Sequence, residues 1–138
     1  MNNRLLILVL TVVVAFSGMA GFFSTVKADD DVFSYSFYNG NSQGNTAEKN
    51  KISAQRVYIH PTEGPSLKYT VQGKHNGIWT NRSSSYVISN GTKASFTNSV
   101  FGHGDSKVRV KYVRTQTAST FTYGFWNPEP VGTYTIYN

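Results

Sequence analysis

Lys107, Arg109 and Lys111 stand at two-residue spacing in the C-terminal third of the chain, with Arg114 just beyond them. In an extended backbone that spacing sets one positive side chain roughly every 6–7 Å along a single face. A ladder of this kind suits the phosphates or carboxylates of an anionic polymer, drawn in by charge. Its plainer use is a solvated outer face whose charges discourage edge-to-edge pairing. A second group of binding candidates is aromatic. The chain holds nine Tyr, nine Phe and two Trp. Trp79, Trp126, Tyr134 and Tyr137 are the candidates for exposed stacking, against sugar rings or at a membrane interface. The other aromatics alternate with polar residues and are expected in the core.

Reactive chemistry is thinly represented. His60, His75 and His103 are far apart and lack a metal-ligand spacing, so no metal site is expected. A secreted ribonuclease would need a carboxylate or His base, a His acid and an Arg for phosphate charge. Glu63, His103 and Arg109 can fill those posts, but nothing in the sequence brings them together. The chain has no cysteine, which excludes disulfide scaffolds, thiolate metal sites and cysteine nucleophiles. The expectation is a non-enzymatic protein without a cofactor.

The elements that must carry these residues follow an N-terminal leader. Arg4 precedes an apolar run from Leu5 to Phe16, and Val26-Lys27-Ala28 closes the segment before Asp29. A charged head, an apolar stretch and small residues at −3 and −1 read as a signal peptide, a helix cleaved after Ala28. Residues 1–28 are thus assigned to export and residues 29–138 to one secreted domain. Cleavage takes 28 of the 138 residues and leaves 110, with no stable membrane span expected. Without Arg4 and Lys27, 11 of the 13 basic residues remain against 7 acidic ones, a net charge of +4. That balance favours an anionic cell-envelope component as partner, with no specific nucleic acid expected.

The mature part is patterned as β throughout. Phe33, Tyr35 and Phe37 alternate with Ser34 and Ser36. Leu67, Tyr69 and Val71 do the same around Lys68 and Thr70. Val108, Val110 and Tyr112 oppose the basic ladder, and Phe121, Tyr123 and Phe125 form a further row. Ile52 to Ile59 reads as a less regular strand, and Asn39 to Asn50 as a long exposed loop. Asn39-Gly40, Asn76-Gly77 and Asn90-Gly91 carry the strongest two-residue hairpin pattern. The last predicts direct pairing of residues 86–89 with 92–96. Pro61 to Pro65 and Pro128 to Pro130 read as loops. The fold predicted is all-β: a small antiparallel β-sandwich, or a small barrel, of about seven or eight strands.

Lys107-Val-Arg-Val, a Thr/Ser stretch, and Tyr123-Gly-Phe-Trp126 before Pro128-Glu129 resemble the end of a family of small exported Gram-positive proteins of unassigned function. With the leader and the missing cysteines, the chain is also similar to lactococcin-972-like bacteriocins. It departs from them in a longer mature part and in twelve residues after Trp126. These resemblances imply action at a bacterial cell envelope and carry over no site residue. The functional expectation is an exported, bacteriocin-like binding domain. A self-assembling structural or attachment module, in which a homo-oligomer supplies burial that disulfides do not, is the alternative. A small secreted hydrolase is the third.

Overall fold

A computed structural model describes residues 30–38, 41–129 and 134–138. The leader assigned to residues 1–28 and the Asn39-Gly40 turn lie outside the described residues. Period-two patterning becomes strands directly. β1 (Asp31–Phe37) buries Phe33 and Phe37, half-buries Tyr35, and leaves Ser34 and Ser36 outside. The other strands are β2 (Gln43–Asn45), β3 (Val57–Glu63), β4 (Leu67–His75), β5 (Ile78–Asn81), β6 (Tyr86–Ile88), β7 (Ala94–Phe96), β8 (Lys107–Arg114), β9 (Thr120–Asn127) and β10 (Thr135–Tyr137). The chain is all-β, with ten strands among the described residues rather than seven or eight. The surplus is in three-residue strands, too short to show a period.

Two sheets enclose one core. The first has the order β1-β9-β3-β7-β10, and the second β2-β8-β4-β5 with β6 also on β4. All pairs are antiparallel except β7 with β10, which run parallel. Phe33, Phe37, Val57, Ile59, Phe96 and Trp126 of the first sheet meet Leu67, Tyr69, Val71, Ile88, Val108, Val110 and Tyr112 of the second. The Phe33 ring bridges the layers, 6.4 Å from that of Tyr69 and 5.5 Å from that of Tyr112. Each large side chain so buried contributes about 1.5–3 kcal/mol by leaving water. Burial also raises the Tyr112 hydroxyl to a pKa of about 12, while the hydroxyl donates to the Asn45 carbonyl at 3.1 Å.

Several local expectations are corrected. Asn76 and Gly77 both have positive φ and join β4 to β5 as a tight hairpin, as expected. At Asn90-Gly91 only Gly91 has positive φ, and Thr92 N–H bonds the Ser89 carbonyl. That is a type II pattern, which splays its flanks. β6 therefore joins the second sheet and β7 the first, and the two do not pair. Pro61 lies inside β3, not in a loop. It sits past the end of β7, where β3 has a strand on one side only, and a bulge follows between Pro61 and Glu63. The strand expected from Ile52 starts only at Val57; Ile52 and Ser53 instead donate backbone N–H bonds to Glu129. The loop expected over residues 39–50 contains β2, and Thr46 and Lys49 continue to bond the edge of β8.

Candidate functional site

β8 carries out its alternation: Val108, Val110 and Tyr112 are fully inside, and Lys107, Arg109 and Lys111 project to the other side, half-buried. The strand is held by neighbours on both edges. Thr46 clamps Val110 from one edge, its amide bonding the Val110 carbonyl and its hydroxyl accepting from Val110 N–H, both at 2.9 Å. On the other edge β4 pairs with it over eight residues. Directly opposite neighbours in an antiparallel pair share a face. Lys107 therefore lies beside Lys74, Arg109 beside Gln72, and Lys111 beside Thr70. β5 continues these rows, with Trp79 opposite Lys74 and Asn81 opposite Gln72.

The result is a cationic platform built around one indole ring. The Arg109 guanidinium carbon lies 4.1 Å from the centre of the Trp79 ring, and Lys74 Nζ lies 5.4 Å from it. Arg109 Nε donates to Gln72 Oε1 at 2.9 Å, and Gln72 Nε2 donates to Asn81 Oδ1 at 2.9 Å. Burial pulls the Arg109 guanidinium below its ordinary value, Glu48 offsets only part of that, and an arginine so shifted is still a cation at neutral pH. Lys68 adds an exposed positive charge further along β4. Glu48 reaches this face as a counter-charge, 3.5 Å from Lys74 Nζ.

A buried ion pair anchors the approach to β8. The Asp105 carboxylate is fully enclosed and accepts from Arg82 Nε at 2.6 Å and Nη2 at 2.9 Å, with His75 Nδ1 at 3.4 Å. Those Arg82 bonds hold its pKa below the ordinary carboxylate value. A Cβ at Gly73 would collide with this carboxylate, so the glycine makes room for the anchor. Beyond Lys107 an open cleft of about 470 Å³ is lined by Glu48, Lys49, Asn50, Ile52 and Glu129 among others. There, buried Lys51 donates to the Pro128 carbonyl at 2.6 Å and to Glu129 at 2.9 Å.

The other sequence-derived candidates separate. Arg114 has the inward parity of Tyr112, and Val113 takes the next place on the ladder side. Arg114 Nη1 is buried without a hydrogen-bond partner, so this residue does not extend the platform. Trp126 is not available for stacking: it is wholly buried in the core. Tyr134 is half-buried with its ring 4.5 Å from that of Tyr58. Tyr137 packs on Tyr86 and Phe96 against the core. Conversely, Phe121, Tyr123 and Phe125, expected inside, face out from the first sheet.

The proposed catalytic trio does not converge. Glu63 ends β3, just before β4 begins, whereas His103 lies two residues from Asp105, which contacts His75 at the opposite end of β4. Nine residues of β4 span roughly 26 Å at about 3.3 Å each. Among the described residues, no three His, Asp or Glu side chains cluster as metal ligands, and no helix is long and apolar enough to cross a membrane. Trp79 and Arg109 are separate candidates in the sequence, whereas Lys74, Gln72 and Asn81 carry no signal there and become their neighbours only through the register of β4.

No family model, curated protein or solved structure matches the chain significantly.

Proposed function

We propose that this chain is an exported, non-catalytic β-sandwich that binds an anionic polymer or surface of a bacterial cell envelope, in a bacteriocin-like manner. The binding surface is the outer face of the second sheet. The observation that carries this reading is the register of Lys107, Arg109 and Lys111 with Lys74 around Trp79. Three strands supply the cations and the ring, and the stack on Trp79 holds Arg109 in place at little further entropic cost on binding. Phosphate and carboxylate groups spaced along an extended polymer suit such a face, since each charge near an anionic surface is worth about 1 kcal/mol.

Retention of the purified protein on wall fragments and anionic vesicles, followed across a salt series, tests the reading. Lys74, Lys107 and Lys111 are the residues to change to Gln, because Arg109 is also tied into Gln72 and Trp79. Retention should weaken and its salt dependence flatten. Unchanged retention by a folded triple variant would remove the platform from the binding surface.

A further inference from the structure

Sheet edges invite pairing, and proteins blunt them with short strands, charges, prolines or bulges. Four of the edge strands here are blunted by length: β2, β6 and β10 have three residues each and β5 has four. β1 is different. It is seven residues long, lies at the edge of the first sheet, pairs regularly with β9 from Asp31 to Phe37, and contains no Lys, Arg or Pro. Apart from that pairing, no backbone hydrogen bond among the described residues involves residues 31–37.

The sequence of this open edge is a palindrome: Phe33-Ser34-Tyr35-Ser36-Phe37 reads the same in both directions. An antiparallel pair of identical strands is related by a two-fold axis normal to the sheet, so residue i meets j and j meets i. Centred on Tyr35, that pairing sets Phe33 opposite the partner's Phe37 and Ser34 opposite the partner's Ser36. One step further out, Val32 meets the partner's Tyr38. Val32 and Tyr38 are among the most exposed large apolar residues of the fold, at 53% and 60%. Cross-strand pairs of an aromatic with a β-branched residue are favourable, and this register covers both side chains twice. Asp31 meets no like charge.

We propose that β1 is the docking edge for a second copy of this chain, which joins the two first sheets into one continuous sheet through Tyr35. A two-fold axis normal to the sheet keeps both second sheets on one side. Both cationic platforms then point the same way, and a dimer engages an extended anionic surface at two places, which multiplies retention without any new contact. That consequence rests on the proposed function; the pairing itself does not.

The chain has no cysteine, so introduced thiols report the register cleanly. Under mild oxidation, a mixture of the Ser34→Cys and Ser36→Cys variants should cross-link into mixed dimers faster than either variant alone. Positions 34 and 36 face each other directly in this register, and 34 with 34 only diagonally. Ile136→Cys, an exposed site on β10, serves as the control. The unmodified protein should form dimers with rising concentration in light scattering. The Ser34→Lys/Ser36→Lys variant sets lysines opposite lysines on the exposed side and should raise the dissociation constant at least tenfold while melting as before. A strictly monomeric protein overturns the proposal and leaves the edge to a strand of another protein. Equal cross-linking in all mixtures, or dimers that survive the lysines, overturns it too. None of these readouts involves envelope material, so the outcome is independent of the platform's ligand.

Discussion

Arg109 sits over Trp79, its guanidinium carbon 4.1 Å from the ring centre, although the two residues are on strands that do not pair. β4 lies between them, and Arg109 reaches across it with its Nε donating to Gln72 Oε1 at 2.9 Å. The arginine is thereby half-withdrawn from water yet keeps its charge, so the platform has a fixed centre flanked by the lysines at 74, 107 and 111.

Trp79→Ala should test that centre first. The stack is worth about 0.5–1 kcal/mol at a partly exposed site, so the melting temperature should fall by only about 2–8 °C. Retention on anionic material should fall more than the small stability change explains, because Arg109 loses its fixed position. In the unmodified protein, acrylamide should quench Trp79 far more than the enclosed Trp126, and an anionic ligand should shield it. Quenching unaffected by ligand would place binding elsewhere.

Acid should weaken the anchor beneath the platform. The Asp105 carboxyl is held below its ordinary value by the Arg82 bonds. A lowered carboxyl contributes stability that is complete above its unfolded value and is lost as pH falls through the folded value. The loss should therefore appear below about pH 4. Glu129 follows the same sign, since the bonds from Ser53, Lys51 and Ile52 outweigh the burial that pushes it up. Asp105→Asn should lower stability at neutral pH, because a neutral amide no longer balances the Arg82 charge. Denaturant midpoints from pH 7 to 3 should then show a shallower acid slope for the variant than for the unmodified protein.

Gly124 tests how closely β3 and β9 approach. A Cβ there would run into the His60 carbonyl oxygen and lie 2.8 Å from Pro61 Cα, with the Phe33 ring at 2.9 Å. Two of these are backbone and cannot swing aside. Gly124→Ala should cost about 2–4 kcal/mol, read as a lower denaturant midpoint. Gly77→Ala, with open space around its Cβ, should cost less, from its positive φ alone.

Strands are legible in the sequence where patterning and burial agree, and not where neighbouring strands decide. β1, β4 and β8 were legible because their apolar and polar residues alternate in step with the core. β9 was not, because Phe121, Tyr123 and Phe125 supply the more hydrophobic parity and yet lie outside. Its register with β1 puts Gly124 against Phe33, Thr122 against Tyr35 and Thr120 against Phe37. Small residues of β9 make room for the large ones of β1, a matching between strands far apart in sequence. The platform has the same limit: the ladder of β8 is visible in one strand, but Trp79 joins it only through the pairing of β4.

The parity of β9 yields the last prediction. If Trp126 fills the core while Phe121 and Tyr123 lie on the outer face, substitutions on the two sides must differ sharply. Trp126→Ala opens a large cavity between the sheets, and such changes cost about 3–5 kcal/mol. Phe121→Ser and Tyr123→Ser remove only partly covered rings, so each should stay within about 1 kcal/mol. Denaturant melts of the three variants give the comparison. A Tyr123→Ser variant as damaged as Trp126→Ala would mean that β9 is flipped by one residue, and with it the pairing of β1 that the palindromic edge depends on.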